Sequence, residues 1–355
     1  MANVLFNQIR KLFGLEGCPV IMPYRGYGKG NTIYIKGHVL DDKVLYETNK
    51  ADKKRKNMLA MLSRYMSKAL PGREVVVECL EQHFTLKTDQ EGYFEATLEL
   101  EGQVTVKGWT PVSYHLRENK VGKNTVPPAE GEIYFPEANQ EFGIVSDVDD
   151  TIIVSKASKA LQKLNLILFK NAKTRLPFTG VAAFYEALRN GPDRKCCNPL
   201  FYVSSSEYNL YDFLVDFCES QGIPKGVFLL QKYKNNLWEI LKSGGGSHTH
   251  KADKIRHLLE VYPDTNFVLI GDSGQRDALL YSRIVEEYPK RIKVIYIRNV
   301  SAAGPRIEHL NELAKKVQKE GVDMLLVEDT AEAARHALQM GLIMEEDYHK
   351  VEQVV

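Results

Sequence analysis

Asp147 and Asp149 stand two residues apart at the end of the run Gly143-Ile-Val-Ser, and in an extended chain residues two apart share a side. Both carboxylates can then enter one site while Val148 turns back toward a core. Such a pair suits phosphoryl chemistry. One carboxylate can attack phosphorus and help hold a metal, and the other can protonate the leaving oxygen and later activate water. Crowded like charges would otherwise force one group to keep its proton, so the pair calls for Mg²⁺. Taken alone, the same residues also read as an Asp-rich turn or helix cap.

Three later segments add to the pair. Leu200-Phe-Tyr-Val203 runs into Ser204-Ser205-Ser206, whose hydroxyls can bind phosphate oxygens. Helical spacing at Leu210, Phe213, Leu214 and Phe217 puts these serines near a helix start, which favours an anion. Lys251 falls in the first turn of an amphipathic helix, where the dipole disfavours a cation; it is either solvated or reaching a phosphate. Phe267-Val-Leu-Ile270 delivers Asp272 at its tip, with Gly271 and Gly274 allowing close backbone approach. Asp277, five residues on, can orient Asp272 or a metal-bound water.

Each apolar run ends in its polar residue, as expected at the carboxyl edge of an open parallel sheet. Asp147-x-Asp149-x-Thr151, the strand-Ser, Lys251 and Gly271-Asp272-x-x-x-x-Asp277, in that order, resemble the haloacid dehalogenase superfamily over about residues 140–345. The resemblance implies Asp147 as nucleophile, Asp149 as general acid/base, and Ser204 and Lys251 as phosphate-binding residues. It also implies that Asp147, Asp272 and the backbone carbonyl of Asp149 hold Mg²⁺, with Thr151, Ser205, Gly271 and Asp277 in support. The finer wording, including His250-Lys251, Asn209-Leu-Tyr211-Asp-Phe213-Leu, Arg175-Leu-Pro177 and Gly341-Leu-Ile343, is similar to the actin-patch-type phosphatidate phosphatase family. That implies Mg²⁺-dependent hydrolysis of phosphatidate to diacylglycerol and phosphate. Glu207-Tyr208 departs from the family, where a Pro-Trp pair is expected, and puts head-group or acyl contacts in question.

The elements that must position these residues form a βα alternation from 142 to 340, so the fold class expected is α/β. More closely, it is a haloacid dehalogenase-like doubly wound parallel sheet with small cap insertions, the first spanning 153–198. Leu161, Leu164 and Phe169 give that insertion its apolar content, for burial against the sheet or for lipid. Before Gly131 the texture changes to short alternating strands at 32–39, 73–78, 84–86, 93–100, 104–106 and 133–135, with Thr88–Gly92 as a hairpin turn. An all-β, sandwich-like domain is expected there. The boundaries expected are 1–136 and 137–355. Asp52 to Leu70 reads as a basic amphipathic helix, solvated or lipid-binding. The Arg25-Gly-Tyr-Gly-Lys-Gly30 stretch lacks the frame of a nucleotide loop.

A chain of 355 residues with 44% hydrophobic content can bury two cores. A net charge of +1 gives no reason to expect nucleic acid. The five cysteines have no Cys-x-x-Cys spacing, which suits reduced thiols and a cytoplasmic location. No signal peptide is evident, nor an apolar run of about 18 residues, so a lipid substrate would be met by peripheral contact with an anionic membrane surface. Leu5, Ile9, Leu12 and Phe13 on one face of a short helix, beside Arg10 and Lys11, either supply that contact or dock on the β-domain. Two other classes remain: a phosphatase of a soluble phosphomonoester, such as a sugar phosphate or phosphoprotein, and a non-catalytic lipid-binding protein.

Overall fold

The computed structural model describes residues 18–41, 67–118, 120–121, 124–148, 179–232, 249–274, 276–300 and 304–355. In the N-terminal half the strands are β1 (Pro19–Lys29), β2 (Thr32–Asp41), β3 (Lys68–Ala69), β4 (Glu74–Cys79), β5 (Gln82–Lys87), β6 (Tyr93–Glu99), β7 (Gly108–Leu116), β8 (Lys120–Val121), β9 (Asn124–Thr125) and β10 (Ala129–Phe135). Alternating burial along β2 and β4 puts Ile33, Ile35, Val75 and Val77 into one core with Phe94, Tyr114 and Ile133. Eight of these strands join in one sheet, ordered β3-β2-β1-β10-β7-β4-β5 with β6 also on β2.

Several expectations need correction. Thr88–Gly92 does not close a hairpin: β5 pairs with β4, and β6 crosses to pair with β2. Residues 104–106 lie outside any strand, and the strand begins at Gly108. Lys68 and Ala69 are strand, bonded to Asp41 and Leu40, so the helix expected to reach Leu70 does not. The glycines at 26 and 28 lie in β1, where a Cβ would meet the carbonyl oxygens of Tyr34 at 2.6 Å and Thr32 at 2.9 Å; the pattern serves close strand pairing. The β1–β10 pair is parallel, unlike the other pairs of this sheet. Residues 1–14 and 153–178, and the basic stretch up to residue 66, lie outside the described residues.

The second half is a six-stranded sheet, β11 (Phe142–Ser146), β12 (Leu200–Glu207), β13 (Val227–Gln231), β14 (Asn266–Asp272), β15 (Ile292–Arg298) and β16 (Asp323–Val327). Every pair is parallel, in the order β13-β12-β11-β14-β15-β16. Parallel strands are covered on both faces and read as continuous apolar runs, and all five residues of β11 are buried. Helices α1 (Val181–Asn190), α2 (Tyr211–Ser220), α6 (Thr330–Gln339) and α7 (Glu345–Val354) supply one covering core, with Ile144, Val268 and Val294. On the other face α3 (Thr249–Val261), α4 (Asp277–Glu287) and α5 (Pro305–Lys319) pack on Val145, Leu269 and Ile295. The chain direction across the sheet reverses between β11 and β14, the kind of switch point where open α/β sheets bind ligands.

The two halves share a core. Met22, Tyr24, Leu40 and Tyr93 join the cluster that holds Phe184, Tyr208 and Tyr211. The Tyr24 ring stacks on Tyr208 at 4.2 Å, the Arg25 amide donates to the Tyr211 hydroxyl, and the Tyr134 hydroxyl donates to the Cys197 carbonyl. All five cysteines are free thiols. Among the described residues no helix is long and apolar enough to cross a membrane.

Candidate active site

Two adjacent strands aim their last residues at one point. The Asp147 amide donates to the Ile270 carbonyl at 2.9 Å, which carries the β11–β14 ladder to the strand tip. Val148 returns to the core, fully buried. Asp147, Asp272 and Asp277 each offer a carboxylate oxygen within 4.8 Å of the others, and all three are buried. Gly271 makes this convergence possible, since a Cβ there would lie 2.7 Å from Asp277 Oδ2.

Lys251, in the first turn of α3, inserts its ammonium between Asp147 Oδ2 at 2.9 Å and Asp277 Oδ1 at 2.7 Å. Burial alone would lower its pKa, but the carboxylates of Asp147 and Asp277 outweigh it and hold the ammonium above its ordinary value. Asp277 turns its second oxygen to the Asp272 amide at 3.3 Å. It therefore ties the lysine to the β14 tip. Among the described residues this cluster of three buried carboxylates holds one ammonium, a surplus of carboxylates over cations. All-oxygen donors with that surplus fit a hard divalent cation, whose binding would offset the mutual repulsion of the carboxylates.

Ser204 lies at the same edge, fully buried, and its Oγ accepts the Ser206 amide at 2.8 Å. The serines end a strand rather than open a helix: β12 runs to Glu207, a 3-10 turn takes Tyr208–Leu210, and α2 starts at Tyr211. The structure thus brings Asp147, Ser204, Lys251, Gly271, Asp272 and Asp277 to one sheet edge. Asp149 and Thr151 lie outside the described residues. Tyr208 faces the other half of the molecule: its ring receives Tyr24 and, at 4.7 Å, the Lys36 ammonium.

Residues 142–299 match the family model described as Phosphatidate phosphatase APP1, catalytic domain. The match covers less than half of the chain. The Phosphatidate phosphatase APP1 of Saccharomyces cerevisiae is 25% identical over 285 residues, covering 76% of this chain and 46% of its own. An uncharacterized protein of Schizosaccharomyces pombe is 22% identical over 218 residues, covering 61% of this chain and 34% of its own. The chain thus spans less than half the length of these curated relatives. Among solved structures, a carbohydrate acetylesterase of Xanthomonas citri aligns with 84% of this chain and 74% of its own at 9% identity, with a TM-score of 0.29, too loose to carry an argument. The APP1 catalytic-domain match contains every site residue named above; the β-module, β16 and α5 to α7 lie beyond it.

Two basic residues in this span escaped the sequence reading. Arg298 ends β15 beside Asp272 and donates to Thr330 Oγ1 at 2.7 Å; a lone arginine closing an apolar strand was its signal. Lys254, one turn beyond Lys251, donates to the Ser204 carbonyl at 3.1 Å and the Leu229 carbonyl at 2.9 Å. Burial first, then the like charges of Lys36 and Lys251, push its pKa down to about 7. Its signal was a lysine inside the stripe Ala252, Ile255, Leu258, Leu259.

Proposed function

We propose that this protein is a Mg²⁺-dependent phosphatidate phosphatase of the haloacid dehalogenase type, releasing diacylglycerol and phosphate. The observation that carries the reading is the buried cluster of Asp147, Asp272 and Asp277 around Lys251 at the switch point of a parallel sheet. The family match and the activity named for the yeast relative supply the substrate class.

In this mechanism Lys251 fixes one Asp147 oxygen, and the carboxylate attacks phosphorus along the line of the ester bond. That bond breaks, and the diacylglycerol oxygen takes a proton from Asp149. Asp149 then removes a proton from water, which attacks the aspartyl-phosphate, frees inorganic phosphate and restores the Asp147 carboxylate. Mg²⁺, held by Asp147, Asp272 and the Asp149 carbonyl, would offset negative charge on the transferring phosphoryl group. Ser204 and Lys251 receive phosphoryl oxygens, and Asp277 keeps Lys251 and the β14 tip in register. The substrate is met at an anionic membrane surface.

Purified protein with Mg²⁺ should release phosphate from phosphatidate vesicles faster than from a water-soluble chromogenic phosphoester, and EDTA should stop both. Preference for the soluble ester would move the substrate away from lipid. Activity indifferent to EDTA would remove the metal from the mechanism.

A further inference from the structure

The β12–β13 ladder is interrupted beside the phosphoryl site. Val203 pairs with Leu229 and Glu207 with Gln231, so β12 advances four residues while β13 advances two. The extra residues lie in the Ser204–Ser206 stretch, forming a bulge of the kind that redirects side chains next to functional sites. A bulge breaks ladder bonds and leaves carbonyls to be satisfied in another way. Lys254 fills that gap, donating to the carbonyl of Ser204 on one strand and of Leu229 on the other. Among the described residues it forms no ion pair, although it is part-buried. Lysines in such places usually face a carboxylate, and Lys251, one turn earlier, has two. Like charge from Lys36, on β2, raises the cost further.

We propose that Lys254 is a positioning residue of the phosphoryl site: its ammonium pegs the β12 bulge through two backbone carbonyls and so fixes the Ser204 hydroxyl that receives the phosphate. This rests on the phosphatase reading. It also gives the lysine's position a reason, because an arriving anion favours the charged form of an amine held by carbonyls rather than carboxylates. Helix α3 then serves the site twice, with Lys251 on the nucleophile and Lys254 on the phosphate-binding strand.

The test uses the full chain, Mg²⁺, a soluble chromogenic ester and inorganic phosphate as competitive inhibitor. Lys254→Met should raise the phosphate Ki and the KM together by about 10- to 100-fold, the loss expected for hydrogen bonds from a charged donor, with kcat nearly unchanged. Lys254→Arg, which keeps a cation and several donors, should recover part of the loss. In a double-mutant cycle, Ser204→Ala with Lys254→Met should weaken phosphate binding no more than Ser204→Ala alone, since both act through one hydroxyl. Additive losses, or an unchanged Ki in folded Lys254→Met, would overturn the proposal. If the methionine variant does not fold, Lys254→Gln, which retains a donor, carries the same cycle. A wild-type protein without phosphatase activity sinks the phosphatase reading and this inference with it; an active wild type matched by the variants sinks this inference alone.

Discussion

Lys251 and Lys232 make the same arrangement in two regions. At the strand edge Lys251 bridges Asp147 and Asp277 at 2.9 and 2.7 Å. At the joint between the halves, Lys232 bridges Asp89 and Glu95 at 3.1 and 3.2 Å. The distances barely differ, but the surroundings do: the first trio is at most 1% exposed, whereas Lys232 is 37% exposed and Glu95 54%. Coulomb attraction at such spacing grows several-fold as the effective dielectric falls from that of water toward that of a protein interior. Ion pairs of one geometry can therefore be a working part in one place and a rim in another. The joint is held by rings instead, with Tyr24 against Tyr208 and Tyr211.

The largest effect is expected at Asp147, the proposed nucleophile. Asp147→Asn should abolish turnover while the far-ultraviolet spectrum stays native, because the amide keeps the shape but cannot attack phosphorus. Asp149→Asn should lose about 10²- to 10⁴-fold in kcat, the range of general acid/base help. Wild-type rates in either variant would remove that residue from the chemistry.

Next in size are the buried partners. Lys251→Met leaves Asp147 and Asp277 facing each other without their cation, and breaking a buried ion pair in this way costs about 3–5 kcal/mol. Urea unfolding without added metal should show it, and Mg²⁺ should return part of the loss. Tyr24→Ala should cost a comparable about 3–5 kcal/mol, as large aromatic truncations in cores do. It should do so without changing the Mg²⁺ dependence of activity. A negligible cost there would mean the halves are not joined through their rings.

The strand edge was readable because its signals are compact. A run buried on both faces, as in β11 and β14, must be apolar, so the carboxylate at its end stands out. Gly271 beside Asp272 marked the close approach of Asp277 in the same short stretch. Lys254 was not readable in this way, since its acceptors are backbone carbonyls 50 and 25 residues away, and no residue type marks a carbonyl. The joint was hidden for another reason: Gly26, Gly28, Pro19 and Pro23 interrupt the alternation of β1, so Tyr24 was not recognised as a strand residue facing a core. The β6–β2 pairing was obscured by the tempting turn at Thr88–Gly92.

His38, in the same corner as Lys232, gives the joint a pH signature. Its ring stacks on Tyr93 at 4.0 Å and its Nε2 meets the Glu91 carbonyl at 2.8 Å. Burial, only partly opposed by that hydrogen bond, lowers its pKa from 6.5 to about 4. The unfolded chain thus takes up the proton first as pH falls. Stability from the neutral imidazole is present above about pH 6.5 and is lost progressively toward pH 4. Unfolding free energies measured between pH 7.5 and 4.5 should fall less steeply in His38→Gln than in the wild type; parallel slopes would show that His38 does not carry the acid sensitivity.

The smallest effect is expected at Lys232, and it tests the comparison most closely. Lys232→Met removes a cation bridging two carboxylates, as Lys251→Met does, so bridging geometry alone would predict equal costs. Exposure predicts otherwise. Glu95 keeps Lys36 at 3.3 Å, and Asp89 keeps the amides of Glu91 and Tyr93, so neither carboxylate is stranded. Exposed pairs contribute about 1 kcal/mol or less, and salt screens them further. The midpoint of unfolding should therefore move little, and the difference from wild type should shrink as salt is raised from low to physiological levels. A loss matching Lys251→Met, insensitive to salt, would show that the joint's charges are as essential as those at the strand edge.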